Sequence, residues 1–240
     1  MIIELADVLI EIQPLYLYTQ YLCRHYEAVG PADITVKISP GDIAQERERA
    51  AREDERCSRG AADWADSYLE TLAVYRGIAE KMPDYDTFLF HGSAIAVDGA
   101  AYMFTAKSGT GKSTHTRLWR EMLGDRAVMV NDDKPLVRVN ADGTAVVYGT
   151  PWDGKHHLSN KIAVPLRAIC ILERAEENHI REITKAEALP MLLQQIYRPS
   201  DPAALDKTLT LIDRMDVQFY RLGCNMEKEA AEVSYNAMKL

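Results

Sequence analysis

The residues with the clearest chemistry run Ala106-Lys107-Ser108-Gly109-Thr110-Gly111-Lys112-Ser113 and are followed downstream by Asp132-Asp133. Gly109 and Gly111 lack a Cβ, so the backbone can turn tightly and aim several N–H groups at one anion. The residues after Gly111 read as a helix, whose unsatisfied first-turn N–H groups add to the pull on phosphate. Lys112 supplies a mobile ammonium for the outer phosphates, and the Ser113 hydroxyl is the expected magnesium ligand. A loop with these parts holds a nucleoside triphosphate. Ala106 stands where a glycine is usual, and an alanine there would be strained if the loop required positive φ.

The acids complete the chemistry. Ala127 to Asp133 is a short apolar run ending in two carboxylates, which reads as a buried, parallel-type strand delivering acids to its carboxyl end. One acid can hold magnesium while its neighbour accepts the proton of an attacking hydroxyl. Asn131-Asp132-Asp133 is also turn chemistry. Upstream, Asp86 to Val97 alternates as a strand, Asp98-Gly99 signals a two-residue hairpin, and Ala100 to Thr105 returns into the loop. His91 is thereby expected inside a strand beside the site.

The loop needs a strand before it and a helix after it. Tyr102-Met103-Phe104 is the strand-like run, and Leu118, Trp119, Met122 and Leu123 recur at helical spacing before Gly124-Asp125 ends the helix.

Taken together, His91-Gly92, Gly99, Ala106 to Ser113 and Asp132-Asp133 resemble the core of the HPr kinase/phosphorylase family, whose nucleotide-binding core is related to that of phosphoenolpyruvate carboxykinase. The match spans about residues 86–135. The resemblance implies a mixed α/β fold with a Walker-type phosphate loop and a small N-terminal α+β portion. At 240 residues the chain is expected to form a single HPr kinase-like domain over 1–240, with an N-terminal lobe at 1–58, a nucleotide-binding core at 84–175 and a helical, acceptor-side part at 184–240. Ser108, Gly109, Thr110, Gly111, Lys112, Ser113 and Thr114 would wrap the phosphates of ATP or GTP. Ser113 and Asp133 would hold Mg²⁺, Asp132 would be the base, and His91 would lie beside the reacting phosphate, with the order of the two acids left open. A serine-type hydroxyl on a peptide, protein or small molecule would be the acceptor, and a homo-oligomer is in keeping with the family.

Two departures narrow that reading. Lys107 sits where the family commonly has an acid, and the C-terminal half lacks the family's carrier-protein signature, so a relative acting on another hydroxyl is the better expectation. Three rivals stand beside it. One is a small-molecule P-loop kinase, which a parallel nucleotide sheet would favour. Another is a carboxykinase-like lyase, disfavoured by chain length. The third is a nucleotide-binding sensor or accessory protein without turnover.

Composition limits the partners. With 28 basic against 36 acidic residues and a formal charge of −8, the chain is a poor dedicated nucleic-acid binder. Its apolar runs are short and broken by charge, so no membrane span is expected. The first residues lack a basic leader, and no signal peptide is expected. Cys23, Cys57, Cys170 and Cys224 are widely spaced and read as free thiols in a reducing cytoplasm.

Outside the core, Val8 to Ile12 and Ile34 to Ile38 read as strands with a helical stretch, Leu15 to Tyr26, between them. Pro40-Gly41 breaks the pattern before a solvated, mixed-charge segment from Glu46 to Arg56. Ala61 to Lys81 carries Trp64, Tyr68, Leu69, Leu72, Tyr75 and Ile78 as one buried helix face. Leu136 to Asn140 and Thr144 to Tyr148 form a hairpin around Asp142-Gly143. The unusual loop Gly149 to His157 follows, in which Lys155 is expected at phosphate and Trp152 at a stacking or apolar wall. Later come a strand at Leu166 to Leu172, helices near 186–197, 202–215 and 226–238, and a strand at 217–220. Pro190 marks a start or kink in the first helix, and Arg198 reads as a surface residue, with phosphate as the alternative.

Overall fold

Residues 1–56 and 63–239 are described by the computed structural model, in two units, Met1–Met82 and Pro83–Leu240. Cys57 and Ala61 lie outside the described residues, so the expected thiol and helix start at those positions are not addressed.

The first unit contains β1 (Ile2–Leu5), β2 (Val8–Gln13), α1 (Leu17–Cys23), β3 (Ile34–Lys37), α2 (Pro40–Arg56) and α3 (Asp66–Lys81). Its sheet has the order β1-β2-β3, with β1 antiparallel and β3 parallel to β2. Pro40 opens α2 instead of ending an element, in keeping with a ring that fits a first helical turn. The charged run on that helix is not wholly solvated, because Glu46 is buried between Arg49 and Arg76, with the Arg76 pair at 3.0 Å. On α3 the buried face includes Leu69, Ala73, Val74, Tyr75 and Ile78, while Tyr68 is exposed and stacks on exposed Trp64 just before the helix. Buried Glu70 shares that face and accepts hydrogen bonds from the Leu15 and Tyr16 N–H groups and the Thr19 hydroxyl, fixing the start of α1.

The second unit continues with β4 (Thr87–Leu89), β5 (Ser93–Val97), β6 (Ala100–Thr105), α4 (Lys112–Leu123), β7 (Ala127–Asn131), β8 (Leu136–Val139) and β9 (Ala145–Tyr148). It ends with β10 (Ala163–Arg174), β11 (His179–Ile183), α5 (Lys185–Gln195), α6 (Pro202–Arg214), β12 (Gln218–Cys224) and α7 (Lys228–Met238). The mixed sheet runs β4-β8-β9-β10-β6-β5-β7, with β12 also on β10 and β11 on β12. Side-chain alternation gives it two apolar faces. Ala101, Met103, Ile169 and Ile171 join Leu192 of α5 and Leu211 of α6 in one cluster. Tyr102, Phe104, Cys170 and Leu172 join Trp119 of α4 and Ala231 of α7 in the other.

The Asp98-Gly99 hairpin is present, with φ of 51° and 84°, the paired positive values that a two-residue hairpin of this type needs. Its consequence is that β5 lies antiparallel to both β6 and β7. The expected parallel pairing of β7 is therefore wrong, although β6 and β7 still point the same way and end at the same edge. The expected strand from Asp86 to Val97 is also two strands. β4 pairs β8 and β5 pairs β6, and His91-Gly92 bridges them outside either strand. Pro190 sits inside α5, which starts earlier at a Thr184–Glu187 capping box. β1 and β11 were not anticipated.

One buried contact ties α4 to α7. Trp119 Nε1 donates to Ser234 Oγ at 2.8 Å, and His115 Nε2 lies 2.9 Å from the same oxygen. The serine's single hydrogen is used on the Ala230 or Ala231 carbonyl, both 3.0 Å away, so His115 donates through Nε2 and Nδ1 is left without a partner. Burial pushes the His115 pKa down to about 4. The unfolded chain then binds a proton at a higher pH than the native one. Stability contributed by neutral His115 is complete above about 6.5 and falls as pH drops toward about 4, by roughly 3 kcal/mol at most. Denaturant titrations between pH 7 and 4 should show that slope in the native protein and a shallower one in His115→Asn. Equal slopes would contradict it.

Candidate functional site

β6 delivers the chain into the glycine loop. Gly109 has φ of 77° and Gly111 of 124°, conformations that side chains other than glycine rarely adopt. Ala106 is fully buried and is not among the positive-φ residues, so the conditional strain at that position does not arise. Gly111 is the N-cap of α4 and no side chain caps it, which leaves the first-turn N–H groups available to an anion. Lys112 Nζ donates to the Ala106 carbonyl at 3.2 Å, folded along the loop it belongs to. Arg174, at the end of β10, donates to the Gly109 carbonyl at 2.5 Å and places another cation against the loop.

β7 delivers the acids. The Asn131 carboxamide oxygen accepts from the backbone N–H of Asp133 at 2.8 Å and of Lys134 at 2.7 Å, making the turn that presents both carboxylates. Asp132 is 6% exposed, and its Oδ1 accepts from Ser93 Oγ at 2.6 Å. Burial pushes its pKa up, opposed by the hydroxyls of Ser93 and Ser113. Asp133 has a third of its side chain exposed and lies 3.2 Å from His91 Nε2 and 3.1 Å from Lys134 Nζ. Burial raises its pKa, but the His91 hydrogen bond and Lys134 outweigh it and set the value at about 2. Burial lowers the pKa of His91, with the Asp133 hydrogen bond opposing. His91 is thus a neutral N–H donor, and lysine charge keeps Asp133 ionised. Burial likewise lowers the Lys112 pKa, with Asp133 opposing.

These parts share one cleft of about 730 Å³. Its lining includes His91, Ser108, Gly109, Gly111, Lys112, Ser113 and Thr114 together with Asp132, Asp133 and Lys155. Thr110 is expected at the site but is not in the lining; its N–H closes the loop turn on the Lys107 carbonyl at 3.2 Å. Trp152 is buried and absent from the lining, so it provides no stacking wall, and Arg198 is exposed and also absent from it. Arg117 lines the cleft without having been singled out, and Gly154 and His156 reach it from the Gly149–His157 loop that was expected near the site. Arg117 follows Lys112 by five positions on α4 and is paired with Glu121 at 2.5 Å. Of the residues that orient the acids, Asn131 was read as turn chemistry, while Ser93 and Lys134 were missed. Lys134 is the next residue along the chain from Asp133, whereas Ser93 is brought in by tertiary pairing.

Chemically, the loop can neutralise and orient a polyphosphate, while the two acids offer one buried and one accessible carboxylate. Among the described residues no group of three or more His, Cys, Asp or Glu side chains is placed to hold a metal by itself. The Ser113 hydroxyl beside the Asp132 carboxylate is a hard-oxygen pair suited to magnesium that draws its other ligands from phosphate and water.

A mixed α/β protein with a glycine-turned loop facing an aspartate pair is the class that this fold and cleft define. The family model described as SynChlorMet cassette protein ScmC matches residues 57–229, and the chain belongs to that family. No curated protein matches the sequence. Among solved structures, the Hpr(Ser) kinase/phosphatase from Coxiella burnetii is similar over 62% of this chain and 95% of that one, at 8% identity and a TM-score of 0.37. No described helix is long and apolar enough to cross a membrane.

Proposed function

We propose that this chain is a magnesium-dependent phosphotransferase that moves the γ-phosphoryl group of ATP, or of GTP, to a hydroxyl. The observation that carries the reading is the uncapped α4 N-terminus, with positive-φ Gly109 and Gly111, opening into the same cleft as Asp132 and Asp133. The loop amides, Lys112 and Arg174 offset phosphate charge. Catalysis then rests on positioning and electrostatic stabilisation, because the reactive bond belongs to the nucleotide.

The geometry favours reversing the order of the acids that the resemblance implied. Asp132 is buried beside Ser113, so these two would hold magnesium, which when bound shields the charge on the phosphates. Asp133 is the acid an incoming hydroxyl can reach, and His91 and Lys134 fix its orientation. The acceptor oxygen forms a bond to the γ-phosphorus as the bond to the nucleoside diphosphate breaks, and the hydroxyl proton passes to Asp133 and on to water. A pKa of about 2 makes Asp133 a weak base. That is tolerable where the transition state is loose and the proton leaves late.

Asp132→Asn is expected to raise the magnesium concentration needed for nucleotide-dependent turnover by at least about tenfold, the low end of what losing even an outer-shell partner costs a metal site. Asp133→Asn should leave that concentration near the native one. A magnesium titration of both variants separates the roles, and an unchanged requirement in Asp132→Asn would return the metal to Asp133. The reaction itself is tested by incubating the protein with ATP labelled at the γ-phosphate, magnesium and cell extract, with Lys112→Ala as control. A labelled acceptor absent from the control supports the reading, and labelling that survives Lys112→Ala rejects it.

A further inference from the structure

Resting on that phosphotransferase reading, we infer that the acceptor carries a carboxylate close to the hydroxyl that is phosphorylated, and that Lys155 and His156 recognise it. The loop bearing them is fastened to the acid-bearing turn at several points. Asn131 Nδ2 donates to the Thr150 carbonyl at 3.0 Å and to its hydroxyl oxygen at 3.1 Å, and the Thr150 hydroxyl donates to the Lys134 carbonyl at 2.7 Å. The Lys134 N–H donates to the Trp152 carbonyl at 3.1 Å. Buried Asp153 holds the far side of the loop by accepting from the Ser159 N–H and hydroxyl at 3.1 and 2.9 Å. Gly154, at φ of 72°, lies so close that a Cβ there would be 3.4 Å from the Asp133 Cβ. Lys155 and His156 are therefore held beside the aspartate pair, with His156 in electrostatic reach of Asp132.

Four other cations around the cleft are already engaged. Lys112 and Arg174 lie along the loop, Lys134 pairs with Asp133, and Arg117 pairs with Glu121. Lys155 has no hydrogen-bond or ion-pair partner among the described residues, and both it and His156 are exposed where they line the cleft. In-line transfer brings the acceptor to the γ-phosphorus from the side away from the leaving diphosphate, where Asp133 takes its proton. An ammonium and an imidazole donor fixed beside that acid select an acceptor with negative charge near its hydroxyl and disfavour a cationic one. An acidic peptide segment and a small hydroxy acid both present this chemistry.

The test compares kcat/KM with ATP and magnesium on serine peptides flanked by glutamate, alanine or lysine, and on a free hydroxy acid against its amide. In the native protein the glutamate-flanked peptide, or the free acid, should lead its neutral counterpart by about fivefold, as expected for a partly exposed ion pair. Lys155→Ala should remove the lead, and Lys155→Glu should turn it toward the lysine-flanked peptide. The peptide and hydroxy-acid arms tell the two sources apart. A lysine that served only the nucleotide would lower all rates alike and leave the ratios intact. Ratios near one in the native protein, or ratios unmoved by Lys155→Glu, overturn the inference while the phosphotransferase reading stands. Calorimetry showing no nucleotide bound to the native protein takes down both.

Discussion

Asp133→Asn is expected to lower phosphoryl transfer by about 10²- to 10⁴-fold, the usual contribution of a positioned general base, while nucleotide still binds. The substitution keeps the size of the side chain and its contact with His91 but removes the acceptor for the hydroxyl proton. Because the change falls on the transition state, it should appear in kcat with little movement in KM for ATP. Nucleotide affinity gives the second readout. The charge lost is one that Lys134 partly balances, so the phosphate loop is left with at least its native positive potential. Turnover close to native would remove Asp133 from the chemistry, and loss of binding alongside loss of turnover would move it into the nucleotide site.

Gly111→Val is expected to weaken binding of magnesium–ATP by about 10- to 100-fold. The backbone at Gly111 has φ of 124°, and a β-branched side chain forced into such a conformation costs on the order of 1–3 kcal/mol. Space is not the obstacle, since the nearest atom to a Cβ there is the Thr114 Cβ at 3.9 Å. The penalty is conformational, and relieving it moves the amides that face the phosphates. Ala106→Gly makes the contrast, because Ala106 is not at positive φ and its replacement should leave affinity within a small factor of native. Calorimetric titration of both variants, with circular dichroism to confirm folding, checks the pair. Equal affinities in Gly111→Val and the native protein would mean that the loop does not hold the phosphates.

How far the sequence could be read depended on how local each signal was. Gly109, Gly111 and the Asp98-Gly99 turn were legible because each is a statement about φ, which a glycine or a turn dipeptide carries by itself. The helix after the loop was legible from the spacing of Leu118, Trp119 and Leu123. Pairing direction was not. The apolar run Ala127 to Val130 would look the same beside a parallel or an antiparallel neighbour, and only the hairpin that inserts β5 decides between them. His91 was placed in a strand because Asp86 to Val97 alternates throughout, yet that segment crosses from one part of the sheet to another at Gly92.

The same limit governs the site. Asp132 and Asp133 are adjacent and chemically identical, and what separates them is burial beside Ser93 and Ser113 against exposure beside His91 and Lys134. Apart from Lys134, the next residue in the chain, those partners come from β5, α4 and the link after β4, so the local pattern alone does not rank the two acids. Trp152 was expected at the cleft because an aromatic in a glycine-rich loop is conspicuous, but the loop turns it inward and presents Lys155 and His156 instead. Glu46 shows the converse error, in which a charge read as solvated is buried against its own partners.

The central claim is that the loop from Ala106 to Ser113 grips a triphosphate within reach of the aspartate pair. A crystal structure of the full chain with magnesium and a non-hydrolysable ATP analogue tests it most directly. The β- and γ-phosphates are expected against the amides of Gly109 to Thr114, with Lys112 on the outer phosphate and Ser113 and Asp132 at the metal. Nucleotide bound elsewhere, or a loop that excludes it at saturating concentration, would show that this loop is not the triphosphate site.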